Sequence, residues 1–402
     1  MYDRREKRRI QRKWAKVVEH IASEPMDVNQ LPRKLTVYIS APPSDGLIPA
    51  REHFNEYVKP ILVSAAMDWD AVEGRREGDV RAGLAERIRR LRMKKGEPFT
   101  QPPEEEAEDV LEAARMRAGV KEWDGIPGDI VIGRHTWKEY VRGLHEGWLG
   151  PLDPPAKPEE PPTAPIPTPA SEATPTTGDV AAPVTTPTDD ASPTAISEPE
   201  KPKEEEKPKE EEKKPKKRKQ PPPYNTTADY SNSQVSPNCP QALGPTAVLP
   251  LPHLLGFLNF PIRMYRFLRR REVAEEAGRQ TAAAVLAAYR PFEAPGESSS
   301  GSAGTEEDAR PQWEQQRLLE FEEPEWHKSV RERKEDDTRE RIWLDEMVLD
   351  PRIAERMRKF VLEPEVEERA KRIATENTEP GWWKAYWPKK AEKKAWEGLS
   401  DD

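Results

Sequence analysis

One cysteine, Cys239, is all the chain has, so no intrachain disulfide can form. The 6 histidines, His20, His53, His135, His145, His253 and His327, are scattered and have no second thiol beside them. The ligand spacing of a zinc or haem site cannot be assembled from that inventory, and no metal or cofactor is expected. Long apolar runs are missing as well. The nearest approach, residues 247–268, is interrupted by Pro250, Pro252, His253, Asn259, Pro261, Arg263 and Arg266. It falls short of the roughly 18–20 unbroken apolar residues of a membrane helix. The first residues hold no apolar core of the kind a secretory signal needs. Glycine comes without pattern: there is no GxGxxG and no GxxxxGK followed by Ser or Thr. No serine stands in a nucleophile elbow.

Proline and charge are what the chain has in excess. Among 402 residues there are 44 prolines, and charged and hydrophobic residues each make up 35%. Much of such a chain cannot pack a core, so one modest folded unit with long tails is expected. The formal net charge of −9 hides a basic N-terminus and a mixed-charge middle. It argues against a nucleic-acid partner and leaves local electrostatic docking open.

Residues 33–66 organise the ordered part. Leu35 to Ile39 are a β-branched and aromatic run, residues 41–46 (APPSDG) force a turn, and Phe54, Tyr57, Val58, Ile61, Leu62 and Ala65 then follow at helical spacing. A second short strand is expected over residues 68–73, with a helix over 79–92 carrying Val80, Leu84, Ile88 and Leu91 inward. A buried strand over 128–133 leads to a helix with Trp137, Tyr140, Val141, Leu144 and Trp148. Three strand-then-helix units predict an α/β fold, a small and mostly parallel sheet with flanking helices, plus C-terminal helices and long disordered linkers.

The expected division is a basic juxtamembrane-type helix over 1–30, the first part of the α/β domain over 31–150, and a disordered Pro/Glu/Lys-rich linker over 151–245. An apolar segment and helix return to the core over 246–292, a flexible linker spans 293–310, and charged helices with a Trp/Lys-rich tail fill 311–402. In the returning segment Phe257, Leu258 and Phe260 are expected in the core, and one helix should run from Pro261 to about Tyr289. Further on, Ile342, Leu344, Met347 and Val348, then Ile353, Met357, Phe360 and Val361, have the spacing of helix faces.

Five features bear on function. The Gly46 loop between strand and helix is a position where helix N–H groups can hold phosphate, yet Pro42, Pro43 and Pro49 remove donors, so a nucleotide- or phosphate-handling enzyme is only an alternative. His135 follows a strand end and suits a cap or packing role better than a catalytic one. The run at 213–219 (KKPKKRK) resembles a nuclear localisation signal, which keeps a soluble nuclear or cytosolic adaptor as a second alternative; short basic runs are also ordinary in a solvated Lys/Glu/Pro spacer. Residues 1–22 suit a surface helix near anionic headgroups, a matrix-targeting segment or a solvated helix. Trp382, Trp383 and Trp387, set among lysines, suit a membrane interface, a partner protein or a return to the core. With Trp137 and Tyr140 they are the candidate contact residues.

Five blocks together carry a family likeness: YDRREKRRIQRKW at 2–14, LPRKLTVYISAPPSDGLIPAREHFNEYVKPIL at 31–62, DWDAVEGRREGDVRAGLAERIRRLR at 68–92, GDIVIGRHTWKEYVRGLHEGWLGPL at 128–152 and LLGFLNFPIRMYRFLRRR at 254–271. In these the chain resembles the Tim-fifty-four subunit family of the mitochondrial inner-membrane carrier translocase, filamentous-fungal members above all. The resemblance implies a non-enzymatic scaffold of the TIM twenty-two complex with its bulk in the intermembrane space. Implied partners are the pore-forming and other translocase subunits, small Tim chaperones, carrier precursors indirectly, and the inner-membrane lipid surface. It also implies a hydrophobic anchor just ahead of a segment like residues 2–14, where this chain has Met1; the expectation is that an upstream exon has been lost.

Overall fold

The computed structural model describes residues 2–27, 29–100, 107–121, 123, 125, 127–154, 220–295, 312–333 and 340–376. Helix α1 (Tyr2–Val18) leads to strand β1 (Lys34–Ser40), the spine of the sheet. Leu35, Val37 and Ile39 of β1 belong to one apolar cluster and Tyr38 to another, the two-residue alternation of a strand with both sides buried. Helices must cover both faces.

The chain supplies those helices by turns. From β1 it runs through α2 (Ile48–His53), a π turn over Phe54–Val58 and α3 (Lys59–Ser64) into β2 (Asp68–Gly74). It continues through α4 (Asp79–Lys94) and α5 (Ala107–Arg117) to β3 (Gly128–Ile132) and α6 (Arg134–Leu149). After residue 220 come β4 (Pro245–Leu249), α7 (Phe260–Phe267), α8 (Arg270–Leu286) and β5 (Tyr289–Pro291). The short helices α9 (Glu314–Arg317), α10 (Lys328–Arg331) and α11 (Pro351–Ala354) precede β6 (Arg358–Phe360) and α12 (Pro364–Glu376). The sheet order is β2-β1-β3-β4-β6-β5, parallel throughout except for the β5 edge. This is the mostly parallel α/β sheet with flanking helices that the strand-then-helix pattern predicts. One face lies under α1, α2, α3, α8 and α12, the other under α4 and α6 with the segments around residues 230–243 and 347–357.

Several local expectations give way to tertiary pairing. The helix expected from Pro261 to Tyr289 is two helices, and Tyr289 itself begins β5. Phe360 is not on a helix. Its strand pairs with the free edge of β4, Thr246 opposite Lys359, because a turn of helix followed by a strand yields the same 353, 357, 360 spacing. Residues 220–243, placed in the linker by composition, pack on the sheet with Tyr230, Cys239 and Leu243 buried. Buried arginines hold their backbone: Arg81 donates to the Pro221 carbonyl, Arg142 to the Asn225 carbonyl, and Arg89 lies 3.5 Å over the Tyr224 ring. Arg81 and Arg89 share one buried acid, Glu146. Among the described residues no helix is long and apolar enough to cross a membrane.

Helix α1 is docked rather than free. Trp14, Val17 and Val18 are buried, and α8 answers the Trp14 ring with Gly278. A Cβ on Gly278 would stand 2.4 Å from Trp14 Cδ1. Gly278→Ala should lower stability by about 1–3 kcal/mol, because overpacking outweighs the gain in helix propensity. Urea denaturation of the two chains checks it; equal midpoints would show that the helices can separate at no cost.

Candidate functional site: closed strand ends and an exposed apolar helix

In an open parallel sheet a ligand site is expected at the carboxyl ends of the strands, where the strand order turns back on itself. Here that point lies between β1 and β3. Gly133 leaves β3 at φ +88, which the start of α6 requires, and the free N–H of Arg134 then points to where a phosphate would sit. The seat is taken by a carboxylate of the chain. Glu322 accepts the Arg134 N–H at 2.8 Å through Oε2 and the Leu251 N–H, just beyond β4, at 2.7 Å through Oε1. Burial pushes the Glu322 carboxyl up to about 8.

A second acid does the same at α4. Glu139 accepts the Val80 N–H at 3.0 Å and the Trp343 indole N–H at 2.7 Å, and burial raises its carboxyl to about 7. His135 is sealed beneath these contacts, 2% exposed, with Nε2 donating to the Ser40 carbonyl at 3.1 Å and its ring edge-on to Trp343. Burial lowers its pKa to about 4, so the imidazole is neutral and packed. A polar dimple of about 200 Å³ nearby is lined by Arg134, Lys138, Gln316, Glu320 and Glu323. Its two cations are already paired with Glu323, at 2.7 and 3.1 Å. At the Gly46 loop the N–H donates to the neighbouring Asp45 carboxylate at 2.7 Å, an acid where an anion would have to bind.

Trp137 and Tyr140, candidates for contact, are core residues with 0% and 2% exposure. Their rings stack at 5.7 Å, the Trp137 indole donates to the Gln315 carbonyl and the Tyr140 hydroxyl to Asp129. Helical spacing marks a buried face as readily as a binding one, and α6 is buried along its whole length. Trp382, Trp383, Trp387 and the basic run at 213–219 lie outside the described residues.

The surface that stands out is another one. Phe257 and Leu258 are 91% and 90% exposed, and Phe260, Tyr265, Phe267 and Leu268 are each more than half exposed. The expectation that residues 246–292 return to the core holds for β4 and Leu251 and again for α8, but not for Phe257, Leu258 and Phe260. The signal against core burial was in the sequence: Arg263 and Arg266 stand among the apolar residues and Arg269 to Arg271 follow them, with no acidic residue in the stretch to pair with them in a core. Exposed apolar surface gathered in one stretch is a mark of interaction sites.

Comparison with known proteins gives the family. Residues 1–360 match the family described as inner membrane protein import complex subunit Tim54. The chain is 48% identical to the mitochondrial import inner membrane translocase subunit tim54 of Aspergillus oryzae, over 93% of this chain and 83% of that protein. It is 46% identical to the protein of that name from Aspergillus fumigatus, with 89% and 82% covered, and 46% identical to that of Neurospora crassa, with 90% and 73% covered.

The Glu322 contact sets a pH dependence. The unfolded carboxyl ionises near 4.5 and the folded one near 8, so between these values the folded chain holds a proton that the unfolded chain has lost. Stability should therefore be fullest below about 4.5 as far as this group is concerned and fall as pH rises towards 8. Glu322→Gln should flatten that decline and, by leaving one buried N–H without an acceptor, lower stability at pH 6 by about 1–3 kcal/mol. Denaturation midpoints across the range check both; an unchanged slope would show that Glu322 does not carry the proton.

Proposed function

The chain belongs to the Tim54 family of mitochondrial inner-membrane import translocase subunits, and from that premise we propose that its folded unit is a non-enzymatic scaffold. As a member of the family it works in protein import, with other translocase subunits as its partners. In the proposed arrangement its bulk faces the intermembrane space, meets the pore-forming subunit, helps dock small Tim chaperones that bring multi-pass carrier precursors, and lies against the inner-membrane surface. Trp382, Trp383 and Trp387 belong to the contact surface in this scheme, since Trp rings among lysines serve protein and headgroup contacts alike.

The observation that carries a scaffold over a catalyst is the closed strand ends. The fold's customary ligand seat is filled by Glu322, the histidine beside it is neutral and buried, and the nearby cations already have acidic partners. What the molecule offers is outer surface. The alternative of a nucleotide- or phosphate-handling enzyme finds no support in those contacts.

Affinity purification of the tagged chain from fungal mitochondria, with a single-span apolar helix placed ahead of Met1 in one arm, tests the scheme. Recovery of the pore subunit together with small Tim chaperones is the expected result. Recovery of neither by a folded, imported chain would overturn the scaffold role. Protease added to mitochondria should cleave the folded unit only after the outer membrane is ruptured, and cleavage in intact mitochondria would overturn the orientation.

A further inference from the structure

Helix α7 has its polarity turned inside out. At about 100° per residue, Phe260, Met264, Leu268, Phe267 and Tyr265 share one side and Arg263 and Arg266, with Ile262, the other. In a helix serving the fold, the apolar side would face the protein. Here all five apolar residues are exposed, and the one partly sheltered side chain between Pro261 and Arg270 is a cation, Arg266, gripped by Glu325 at 2.7 Å. Arg266 ties the basic side to the domain, Arg263 stays exposed, and the apolar side turns to the surroundings. Just before the helix, Gly256 at φ +106 turns the backbone ahead of Phe257 and Leu258, the two most exposed large apolar residues described.

We propose that residues 257–268 enter the interface of an anionic lipid bilayer, with Phe257, Leu258 and the apolar side of α7 at acyl-chain level and the neighbouring arginines at the headgroup phosphates. Charge complementarity selects this occupant. No acidic residue occurs from Pro250 to Arg271, while five arginines do; Arg266, Arg269, Arg270 and Arg271 reach acids from outside the stretch, Glu325, Glu272, Glu56 and Asp3, and Arg263, Arg269 and Arg270 are exposed. Arg269 lies over the Tyr265 ring at 4.5 Å and Arg270 over the Phe267 ring at 4.7 Å, which pairs each cation with an aromatic at the level where headgroup meets hydrocarbon. A broad apolar side bordered by arginines is the arrangement of helices that lie in a membrane interface.

The patch extends to the start of α1. Arg271 sits 5.7 Å from the exposed Tyr2 ring and its N–H donates to Asp3, so the first turn of α1 stands beside the first turn of α8, where α7 ends. Further along, Lys13 pairs with Glu275 and Trp14 packs on Gly278, so the two helices run in the same sense. Arg4 is exposed in that first turn and adds positive charge next to Tyr2. Each basic residue near an anionic surface adds about fivefold to binding.

The inference rests on the inner-membrane assignment only for which bilayer is met, and its test does not need the translocase. The whole chain is floated with phosphatidylcholine vesicles, with and without phosphatidylglycerol. It should rise with the anionic vesicles and much less with the neutral ones. Phe257→Ser with Leu258→Ser should weaken that binding by roughly tenfold or more, since two large apolar side chains no longer leave water. Arg263→Glu with Arg269→Glu should weaken binding to anionic vesicles by roughly 25-fold or more and leave the residual binding to neutral ones unchanged. Both pairs lie on exposed positions, and unchanged thermal unfolding confirms that the fold is kept. A folded chain that stays with the soluble fraction, or flotation that neither pair alters, overturns the proposal; the same variants losing a translocase subunit in the purification above while flotation is unchanged would give the patch to a protein instead. Loss of flotation with subunits retained supports the lipid contact and leaves the scaffold role standing.

Discussion

Two backbone N–H groups at the ends of β3 and β4 have no strand or helix carbonyl to take them, and the Glu322 carboxylate accepts both. Leaving a buried donor unpaired costs about 1–3 kcal/mol, so the segment that carries Glu322 is held to both strand ends. Around that contact the rest of the cover falls into place. Arg134 reaches the Leu318 carbonyl at 2.7 Å, Lys138 the Trp343 carbonyl at 2.8 Å, and Trp343 closes over His135 while donating to Glu139. A site that α/β proteins commonly leave open for a ligand is here an intramolecular joint.

Burying so many ionised groups is expensive unless each meets a partner. The chain meets the requirement with shared pairs: Glu146 serves Arg81 and Arg89 and also accepts the Tyr224 N–H, and Arg92 is divided between Glu97 and the carbonyls of Gly147 and Gly150. These contacts join α4 and α6 to residues 220–225, far along the chain. Removing one member leaves the others charged and buried, so the two halves of the domain on either side of residues 155–219 depend on each other.

The interior and the surface are specialised in opposite ways. Inside, the strand ends are sealed and polar groups are paired; outside, residues 257–268 leave large apolar side chains in the open. That division suits a subunit acting through contact. Helix α1, by contrast, gives its apolar stripe to the core and keeps only a basic ridge, with Arg4, Arg8, Arg12 and Lys16 exposed.

Strand and helix periodicity in residues 34–149 was enough to give the parallel α/β architecture, because the alternation of buried faces is a local property of each segment. Composition likewise excluded an intrachain disulfide, since a single cysteine can be counted without coordinates. The fate of particular side chains was not legible. Trp137 stands among Arg134, His135, Lys138 and Glu139 and Phe257 among Leu254, Leu255 and Leu258, yet the first is sealed under Gln315 and the second faces outward, because burial depends on which distant segment arrives to cover a face. Residues 220–243 have linker-like composition and still pack, because arginines on α4 and α6 hold their backbone. Phe360 became a strand residue through the open edge of β4. Sequence alone determined the elements and their class, since those follow from neighbours a few residues apart. Only the tertiary structure decided that Glu322 would close the strand ends and that α7 would present its apolar side outward, since both follow from contacts between segments far apart in the chain.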